Sequence, residues 1–518
     1  MYILKKLFRI FLLVAPGLLI LQYCPAQVKL PVKPNVIFIL ADDLGYGDLQ
    51  CYGNPWLETP RLNELANCGV KLDHYYSPSP LCAPARGAIL TGMFNHRTGD
   101  IDVPSNHGLD RIALSYKTMG DYFKGAGYAT GIIGKWHSGL YDRQYYPNQR
   151  GFDHFFGFLN GIQDYWKWNL DLNGTNVPSD GRYLTDVITE DALDFINKHK
   201  SGPFFLFIAH HAPHVPLEAP DSLVQKYLKR GKGALNTHVA TIYAMIEEMD
   251  HGIGKVIDKI EELNLSSKTI IVFTSDNGGF VKGEDNRYEN GLTGNKGDVR
   301  EEGIRVPAIV SWPGVIPSGQ VVTDLVHGCD WLPTLYSLTG SQAWPKKPFD
   351  GYNIMELLRG HRSPALSNRT LYFQKNRYYP VAHSDASITS GTWKLYWPGI
   401  PETMEKDSED NRSVRYGTTH PAWEMPIDTI IPLWQDAVQT RKPSLFNIVS
   451  DPSERNDVAD QHPEVVRKMT EDWDNWFSDI MKDYKISWNE IKKAERKRWP
   501  GVDIKKLDPS IHYNKNGM

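Results

Sequence analysis

The chain has 518 residues, enough for a large hydrophobic core and more than one domain. Its net charge is −4 with acidic and basic residues interspersed, so it lacks the concentrated basic face that nucleic-acid-binding proteins carry. Five cysteines are too few for a disulfide scaffold, and their spacings match no zinc site.

The N-terminus has the pattern of a secretion signal. A basic start precedes an apolar run at 10–21, which is shorter than the ~20 residues that span a bilayer. Ala26 then offers a small residue for cleavage. We therefore predict a signal peptide over 1–26, an exported protein (periplasmic or secreted) and no stable membrane partner. A lipid anchor on Cys24 is the alternative, although the residues before it match a lipobox poorly.

The main body of the chain alternates apolar runs with helical patterns. Continuous apolar runs are typical of strands buried on both faces of a parallel sheet. A helix is predicted over 242–263, where apolar residues recur three or four apart. We predict a large α/β sandwich over 27–375 with a mostly parallel central sheet. Its predicted strands cover residues 35–40, 129–133, 204–208, 270–274 and 308–311.

The pattern changes after about residue 375, which predicts a smaller α+β domain over 376–518. Runs at 393–397 and 444–448 indicate short strands of an antiparallel sheet. A Pro-rich, charged stretch at 401–432 separates them and reads as an insertion. An apolar stripe over 466–480 predicts an amphipathic helix that packs on this sheet.

Cys82 begins the most informative stretch of the sequence. Pro84 suits the first turn of a helix, which would place Cys82 just outside the helix N-terminus. Backbone N–H groups and the helix dipole favour an anion there. Arg86, about one turn further on, would hold an anionic group beside Cys82. A buried cysteine on a helix is the alternative for such a residue taken alone.

Polar residues follow four of the predicted strands directly. In open α/β sheets, ligands bind beyond the carboxyl ends of the strands, so these residues should meet. The acidic and amide side chains among them are oxygen ligands, which suit Ca²⁺ or Mg²⁺ better than zinc. Taken alone, Asp42-Asp43 is also consistent with a helix cap or a turn, and Asp276-Asn277 with a plain turn. The residues are Asp42 and Asp43, Lys135 and His137, His210 and His211, and Asp276 and Asn277.

The run from Cys82 to Arg86, followed by Thr91-Gly92, resembles the modification signature of type I sulfatases in the alkaline phosphatase superfamily. Ala85 stands where serine is more usual, but the Cys-x-Pro-x-Arg core is intact. The run 127–137 resembles the second signature of that family. The resemblance implies that a maturation enzyme oxidises Cys82 to formylglycine, whose hydrate is the nucleophile. It also implies one Ca²⁺, bound by Asp42, Asp43, Asp276, Asn277 and residue 82.

The same resemblance implies roles for the cationic and histidine side chains. Arg86, Lys135 and Lys296 would neutralise the oxygens of a sulfate ester. His211, assisted by Lys296, would protonate the departing alcohol, and His137 would take a proton from the sulfated hydrate so that sulfate leaves. His210 is expected to be structural.

Exported sulfatases of this architecture often act on glycosaminoglycans, mucin glycans or algal polysaccharides, so we expect a sulfated saccharide as substrate. The stretch 164–168 has side chains that stack on and hydrogen-bond sugars, although a buried aromatic cluster explains it equally well. The residues expected at the substrate rim are His214, Asp164, Trp166, Arg287 and His383.

Two other functions fit parts of this pattern. A phosphate or phosphonate ester hydrolase of the same superfamily usually carries additional histidine metal ligands, whereas this chain has the Asp276-Asn277 pair. An inactive homologue that only binds sulfated glycans should have lost Cys82, Arg86, Lys135 or Asp276, and all four are present.

Overall fold

A ten-stranded sheet forms the centre of the protein in the computed structural model, which describes residues 33–104, 108–140, 142–231, 235–280, 287–341, 343–404 and 437–498. The strands are β1 Asn35–Ala41, β2 Val70–Leu72, β3 Tyr75–Tyr76, β4 Ala129–Lys135, β5 His154–Phe158, β6 Asn169–Leu172, β7 Thr175–Pro178, β8 Phe204–Ala209, β9 Thr269–Ser275, β10 Ala308–Ser311, β11 Gln320–Val322, β12 Val326–His327, β13 Thr370–Gln374, β14 Ala386–Ser390, β15 Trp393–Trp397 and β16 Ser444–Asn447. The helices are α1 Pro60–Asn67, α2 Cys82–Thr91, α3 Asn95–Thr98, α4 Met119–Gly125, α5 Leu184–His199, α6 Asp221–Arg230, α7 Thr237–Glu262, α8 Glu301–Ile304, α9 Trp331–Ser337, α10 Met355–Leu358 and α11 Pro463–Arg498.

Five parallel strands lie side by side in the middle of this sheet, in the order β9-β1-β8-β4-β5. Every residue of β1, β8 and β9 is buried, as their continuous apolar sequences require. Because neighbouring parallel strands end at the same edge, the residues after β1, β4, β8 and β9 meet there. The predicted α/β architecture with a mostly parallel sheet is confirmed.

Antiparallel strands complete the sheet on both sides. β10 runs antiparallel to β9 and β2, and β6 and β7 form a hairpin beyond β5. β10 has the same kind of apolar sequence as the parallel strands, yet it runs in the opposite direction. Its direction is therefore set by the path of the chain and not by its composition.

Helices cover both faces of the sheet. The apolar stripe of α7 packs with residues of α1, α5 and α6 against one face of β1 and β8. On the other face, the ring of Phe38 stacks on Phe207 and meets the edge of Trp331 in α9. This arrangement holds the carboxyl ends of the central strands in a rigid layer.

A second sheet, in the order β13-β14-β15-β16, is antiparallel throughout. Its first strand lies just before residue 375, the predicted start of the smaller domain. Ile388 and Leu395 of this sheet pack against Trp473, Trp476 and Ile480 of α11. The predicted amphipathic helix is therefore present and extends well beyond 466–480.

Two predicted segments lie largely outside the described residues: the signal peptide at 1–26 and the insertion at 401–432. Among the helices of the described ranges, none combines the length and the hydropathy that a membrane crossing needs.

Candidate active site

The residues predicted at the strand ends come together at one edge of the central sheet. Oxygen atoms of Asp42, Asp43 and Asp276 all lie within 4.8 Å of one another, and all three residues are buried. The sequence predicts Lys135 just after its strand, whereas in the structure it is the last residue of β4. Its ammonium nitrogen lies 2.6 Å from Asp42 Oδ2. The order of the strands in the sheet thus brings four motifs that are far apart in the sequence into one cluster.

Cys82 is the first residue of α2, so the helix begins two residues earlier than Pro84 alone predicts. The first N–H groups of a helix have no partner within it, so proline is tolerated anywhere in the first turn. The helix ends at Gly92, whose φ of 66° is the left-handed conformation typical of helix C-termini. Cys82 is buried, and burial raises the pKa of its thiol, which makes the unmodified side chain a poor nucleophile.

Arg86 ties α2 to the ends of two strands. Its Nε donates to Asp276 Oδ2 at 2.8 Å, and its Nη2 lies 2.7 Å from the same oxygen. Its Nη1 donates to the Lys135 carbonyl at 3.0 Å. The guanidinium is fully buried, and its interactions with Asp276 and Asp42 raise its pKa although burial opposes its charge. It therefore stays cationic beside Cys82.

Asp42 lies among positive groups. Burial alone would raise its pKa, but Lys135 and other partners hold the pKa well below its usual range. Those partners are His214, the hydrogen-bonded His211 and Arg86. Asp42 is consequently ionised near neutral pH, and its charge offsets that of Lys135.

Asp43 has the left-handed φ of 65°, which is unusual for a residue other than glycine. Its Oδ1 lies 2.6 Å from Lys296 Nζ and accepts a hydrogen bond of 2.7 Å from the Asn277 amide. Its carbonyl accepts a hydrogen bond of 2.8 Å from Arg287. Asp43 raises the pKa of Lys296 against the opposing effect of burial, so this lysine too remains charged.

The acidic cluster has the features of a site for a hard cation. Asp42 Oδ1 and Asn277 Oδ1 are buried, and neither has a hydrogen-bond partner among the described residues. Burial and repulsion from Asp42 raise the pKa of Asp276 to about 7, which shows that the three carboxylates crowd one another. A divalent cation would satisfy both orphaned oxygens and relieve the repulsion among the carboxylates.

His211 is hydrogen-bonded at both ring nitrogens. Its Nδ1 lies 3.2 Å from Asp42 Oδ2, and its Nε2 lies 3.2 Å from the Gln163 N–H donor and 3.0 Å from the Gln163 carbonyl. Burial lowers its pKa, whereas Asp42 favours the charged ring. Because one peptide offers both a donor and an acceptor, the ring has a partner in either protonation state. Tyr165 stacks on it at 5.1 Å between ring centroids.

His137 follows β4 with a left-handed φ of 51°. Its Nε2 lies 3.4 Å from the Val103 carbonyl, and its buried Nδ1 has no partner among the described residues. Burial and then Lys135 lower its pKa well below the ordinary value, so the ring is neutral near pH 7 and can accept a proton. Gly161 leaves room for it, since a Cβ there would lie 2.7 Å from the ring.

The two other histidines of this region differ in their surroundings. His214 stacks near His211, and its Nε2 lies 3.7 Å from Asp43 Oδ2. Its Nδ1 is within 2.7 Å of the Val215 carbonyl, and burial with Lys296 keeps its pKa well below the ordinary value. His210 is buried, with its pKa lowered to about 4, and no described contact joins it to the cluster.

The remaining residues predicted at the rim are only partly brought together. Arg287 is buried and donates to Asp48 and to the Asp43 carbonyl, so it fixes the backbone of Asp43. Asp164 accepts hydrogen bonds from the backbone N–H groups of Trp166 and Lys167, and the Trp166 residue is 38% exposed. His383 lies elsewhere, stacked on Trp397 and paired with Asp474 of α11 at 2.9 Å. No described contact joins His383 to the strand-end cluster.

A cavity of about 480 Å³ opens beside Asp43 and Arg287. It is bounded by the loop after β8, the start of α7 and Phe280, and most of its wall is apolar. This volume is in the range of small-molecule pockets. The other residues that line it are Pro213, Val215, Leu217, Thr237, His238, Thr241 and Ile242.

Several residues that shape the site give no signal in the sequence. Ser77 donates its hydroxyl hydrogen bond to the Asp276 carbonyl, and Ser275 accepts from the Leu44 N–H at 3.0 Å. Gln163 contacts His211 through its peptide group, which any residue type would offer. A single serine or a backbone contact has no recognisable spacing, so only the folded chain reveals these roles.

Comparisons with known proteins agree with this geometry. The family model described as Sulfatase matches residues 34–341. Arylsulfatase J of Mus musculus is 31% identical over 471 residues, covering 84% of this chain and 74% of the relative. N-acetylgalactosamine-6-sulfatase of Sus scrofa is 30% identical over 478 residues, covering 85% of each. The crystal structure of Ps i-CgsB in complex with k-i-k-neocarrahexaose is similar with a TM-score of 0.72 and 26% identity, covering 91% of this chain and 99% of that one.

The family match covers the four strand ends, Cys82 and Lys296, and the relatives span most of both chains. The chain therefore belongs to the sulfatase family and is a sulfuric ester hydrolase.

Proposed function

We propose that this enzyme removes O-sulfate groups from carbohydrates, using the hydrate of a formylglycine formed from Cys82 and a bound Ca²⁺. The observation that carries the proposal is the position of Cys82. It is a buried thiol at a helix N-terminus, surrounded by Arg86, Lys135 and Lys296 and adjacent to an acidic cluster with two orphaned oxygens. Burial raises the pKa of the thiol in spite of these cations, whereas the same cations would stabilise the charge that develops when an oxygen nucleophile attacks a sulfate ester.

The substrate class rests on the relatives. One is named for its action on N-acetylgalactosamine 6-sulfate, and one solved structure contains a carrageenan-type hexasaccharide. The half-exposed Trp166 and the apolar cavity beside Asp43 offer surfaces for a sugar ring next to the reaction centre. We propose a sulfated saccharide of the glycosaminoglycan, mucin or algal type as the substrate, with His214, Asp164, Arg287 and His383 kept as proposed rim residues.

Asp42, Asp43, Asp276 and Asn277 would hold the Ca²⁺. An alternative donor set, Asp42 with His211 and His214, also brings ligand atoms within 4.8 Å. Both ring nitrogens of His211 are already hydrogen-bonded, whereas the orphaned oxygens belong to Asp42 and Asn277. The oxygen set fits better, and it suits a hard cation. When bound, Ca²⁺ would polarise the nucleophilic oxygen and neutralise charge on the sulfate.

The side chains of this chain supply the remaining steps. Arg86, Lys135 and Lys296 bind and orient the sulfate oxygens with the cationic groups that they hold among the strand-end carboxylates. His211 donates its Nε2 proton, which the Gln163 carbonyl accepts in the structure, to the departing sugar oxygen, and Asp42 stabilises the protonated ring. His137, neutral because it is buried, accepts a proton when sulfate is released.

A screen of sulfated mono- and oligosaccharides with free sulfate as the readout tests this proposal. We expect release from at least one saccharide, complete loss of turnover in Cys82→Ala, and wild-type turnover in Cys68→Ala, a matched change at an exposed cysteine. Matched aryl sulfate and aryl phosphate esters distinguish the superfamily alternatives. A clear preference for phosphate, or full activity in Cys82→Ala, contradicts the proposal.

The proposal includes export and a maturation enzyme that acts on Cys82. Export is supported by the sequence pattern at 1–26. A host that lacks the maturation enzyme leaves the thiol in place, so the screen requires a host that contains it.

A further inference from the structure

Lys375 of the smaller sheet reaches the two loops of the main domain that lead to Lys296 and Cys82. It directly follows β13, and its Nζ lies 3.7 Å from the place where a Cβ on Gly297 would be. The Leu81 side chain lies 3.8 Å from the same place. The Gly297 N–H donates to the Pro80 carbonyl at 2.9 Å, so the two loops are joined here. The ammonium group therefore lies where the residue after Lys296 meets the residue before Cys82.

Asp385 is the partner of this lysine. The ammonium nitrogen lies 3.2 Å from Asp385 Oδ2, and the Lys375 N–H donates to the Asp385 carbonyl at 2.9 Å. The lysine side chain is 18% exposed and the carboxylate 9%, so the pair is mostly buried and the lysine is its more accessible member. Within the described ranges, Lys375 is the only group that pairs with this carboxylate. Each member of the pair thus has hydrogen-bonding capacity to spare.

The backbone around Asp385 is strained. Its φ of 44° is left-handed, and so is the φ of 57° at His383 two residues earlier. Such conformations are uncommon for residues other than glycine and cluster at ligand sites. Asp385 pairs with Lys375, whereas His383 pairs with Asp474 of α11.

The surrounding charges leave this pair unsuited to a second anion. Asp298, in the loop of Lys296, repels the Asp385 carboxylate, and burial raises the pKa of Asp385 to about 6. Arg377 is held by Asp102 at 3.1 Å, and its buried Nε has no partner among the described residues. A neutral group that both donates and accepts hydrogen bonds fits a cation beside a carboxylate better than an anion does.

We propose that Lys375 and Asp385 recognise adjacent hydroxyl groups of the sugar ring that carries the sulfate ester. The ammonium donates to one hydroxyl oxygen, and the carboxylate accepts the hydrogen of the next. This inference rests on the proposed carbohydrate sulfatase function and adds to it the residues that distinguish a sugar from another sulfate ester. A simple aryl sulfate has no hydroxyl groups to engage the pair and is bound through its sulfate alone.

The test compares Lys375→Met and Asp385→Asn with the wild-type enzyme on two substrates. One is the sulfated saccharide that the screen identifies, and the other is 4-methylumbelliferyl sulfate. We expect kcat/KM for the saccharide to fall by about 10- to 200-fold, as for loss of a hydrogen bond to a charged group, and that for the aryl sulfate to stay within about twofold. Lys442→Met is the matched control, since that side chain is 91% exposed.

A monodeoxy form of the saccharide gives an independent measurement. Removing the recognised hydroxyl should lower kcat/KM of the wild-type enzyme by the same factor as the substitution does. It should not lower kcat/KM of the variant any further. Equal losses on both substrates, or additive losses in this cycle, overturn the proposal because the pair would then only support the fold. If the wild-type enzyme cleaves the aryl sulfate and no saccharide, the proposed carbohydrate function fails, and this inference fails with it.

Discussion

Lys394 lies at the centre of a buried charge cluster that joins the two sheets behind the active site. Its Nζ lies 2.9 Å from Glu301 Oε1 and 3.0 Å from Glu454 Oε1, and all three side chains are fully buried. Glu454 also accepts the Glu301 N–H at 2.7 Å, and the Tyr76 hydroxyl donates to Glu301 at 2.9 Å. Glu301 is the first residue of α8 and lies five residues after Lys296. The cluster therefore holds the loop that carries Lys296 against β15.

Lys394→Met should be strongly destabilising because it leaves two carboxylates buried without their cation. Removing one partner of a buried ion pair costs about 3–5 kcal/mol of unfolding free energy. Burial already raises the pKa of Glu454 to about 7, against an unfolded value of 4.5. Losing the lysine raises it further. The folded variant therefore keeps a proton that the unfolded chain releases, and its stability falls as pH rises above about 4.5.

Urea unfolding at pH 5.5 and pH 7.5 measures this effect. Wild-type Glu454 itself keeps its proton up to about pH 7, so the loss in Lys394→Met should be larger at pH 7.5 by about 0.7 kcal/mol, the effect of retaining one proton over the remaining half pH unit. Adding Glu454→Gln should recover part of the stability, and Lys442→Met should leave it unchanged. An equal loss at both pH values, or a wild-type unfolding midpoint in Lys394→Met, would refute the reasoning.

Three further predictions concern the reaction centre. Because burial keeps the pKa of His137 well below 6.5 and this ring acts when sulfate is released, kcat should not decline on the acid side until the pH is below that value, and an acid-side midpoint above 6.5 in the kcat profile contradicts this. Asn277→Ala should weaken Ca²⁺ binding about tenfold or more in a calorimetric titration, because it removes the oxygen that lacks a protein partner, whereas Asn197→Ala on an exposed helix surface should not. Arg86→Ala should lower kcat about 10²–10³-fold in a sulfate-release assay, since it removes a charged donor and frees Asp276; a loss below tenfold counts against its role.

Local patterns in the sequence predict the central layer of the fold well. The continuous apolar runs identify β1, β4, β8 and β9, and the polar residue that follows each of them marks its end. Since parallel neighbours end at one edge, the runs alone predict that Asp42, His137, His211 and Asp276 converge, and the structure brings them together. The helical stripe that became α7 follows from the same kind of periodicity.

Lateral order and long-range contacts leave no such local mark. Nothing in the β10 sequence reveals that it runs antiparallel to β9. Arg287 reads as an exposed binding residue, yet folding buries it against Asp48. The contact of Lys375 with the loop of Lys296 joins segments about 80 residues apart, and only the packing of the second sheet on the first creates it. Pairings of this kind depend on the whole chain path.

The stretch 164–168 shows the limit for aromatic residues. Its sequence suits a sugar platform and a buried cluster equally. In the structure Tyr165 and Trp168 are buried, with Tyr165 stacked on His211, while Trp166 is exposed. One segment therefore serves both purposes, and periodicity cannot separate them because alternate residues of a loop have no fixed direction.

The mass of the peptide that contains residue 82, measured on enzyme that is actively releasing sulfate, tests the central claim most directly. Formylglycine chemistry requires the mass of the aldehyde or its hydrate, with the aldehyde fraction rising in proportion to specific activity between preparations. Cys82 found as an intact thiol in fully active enzyme would contradict it.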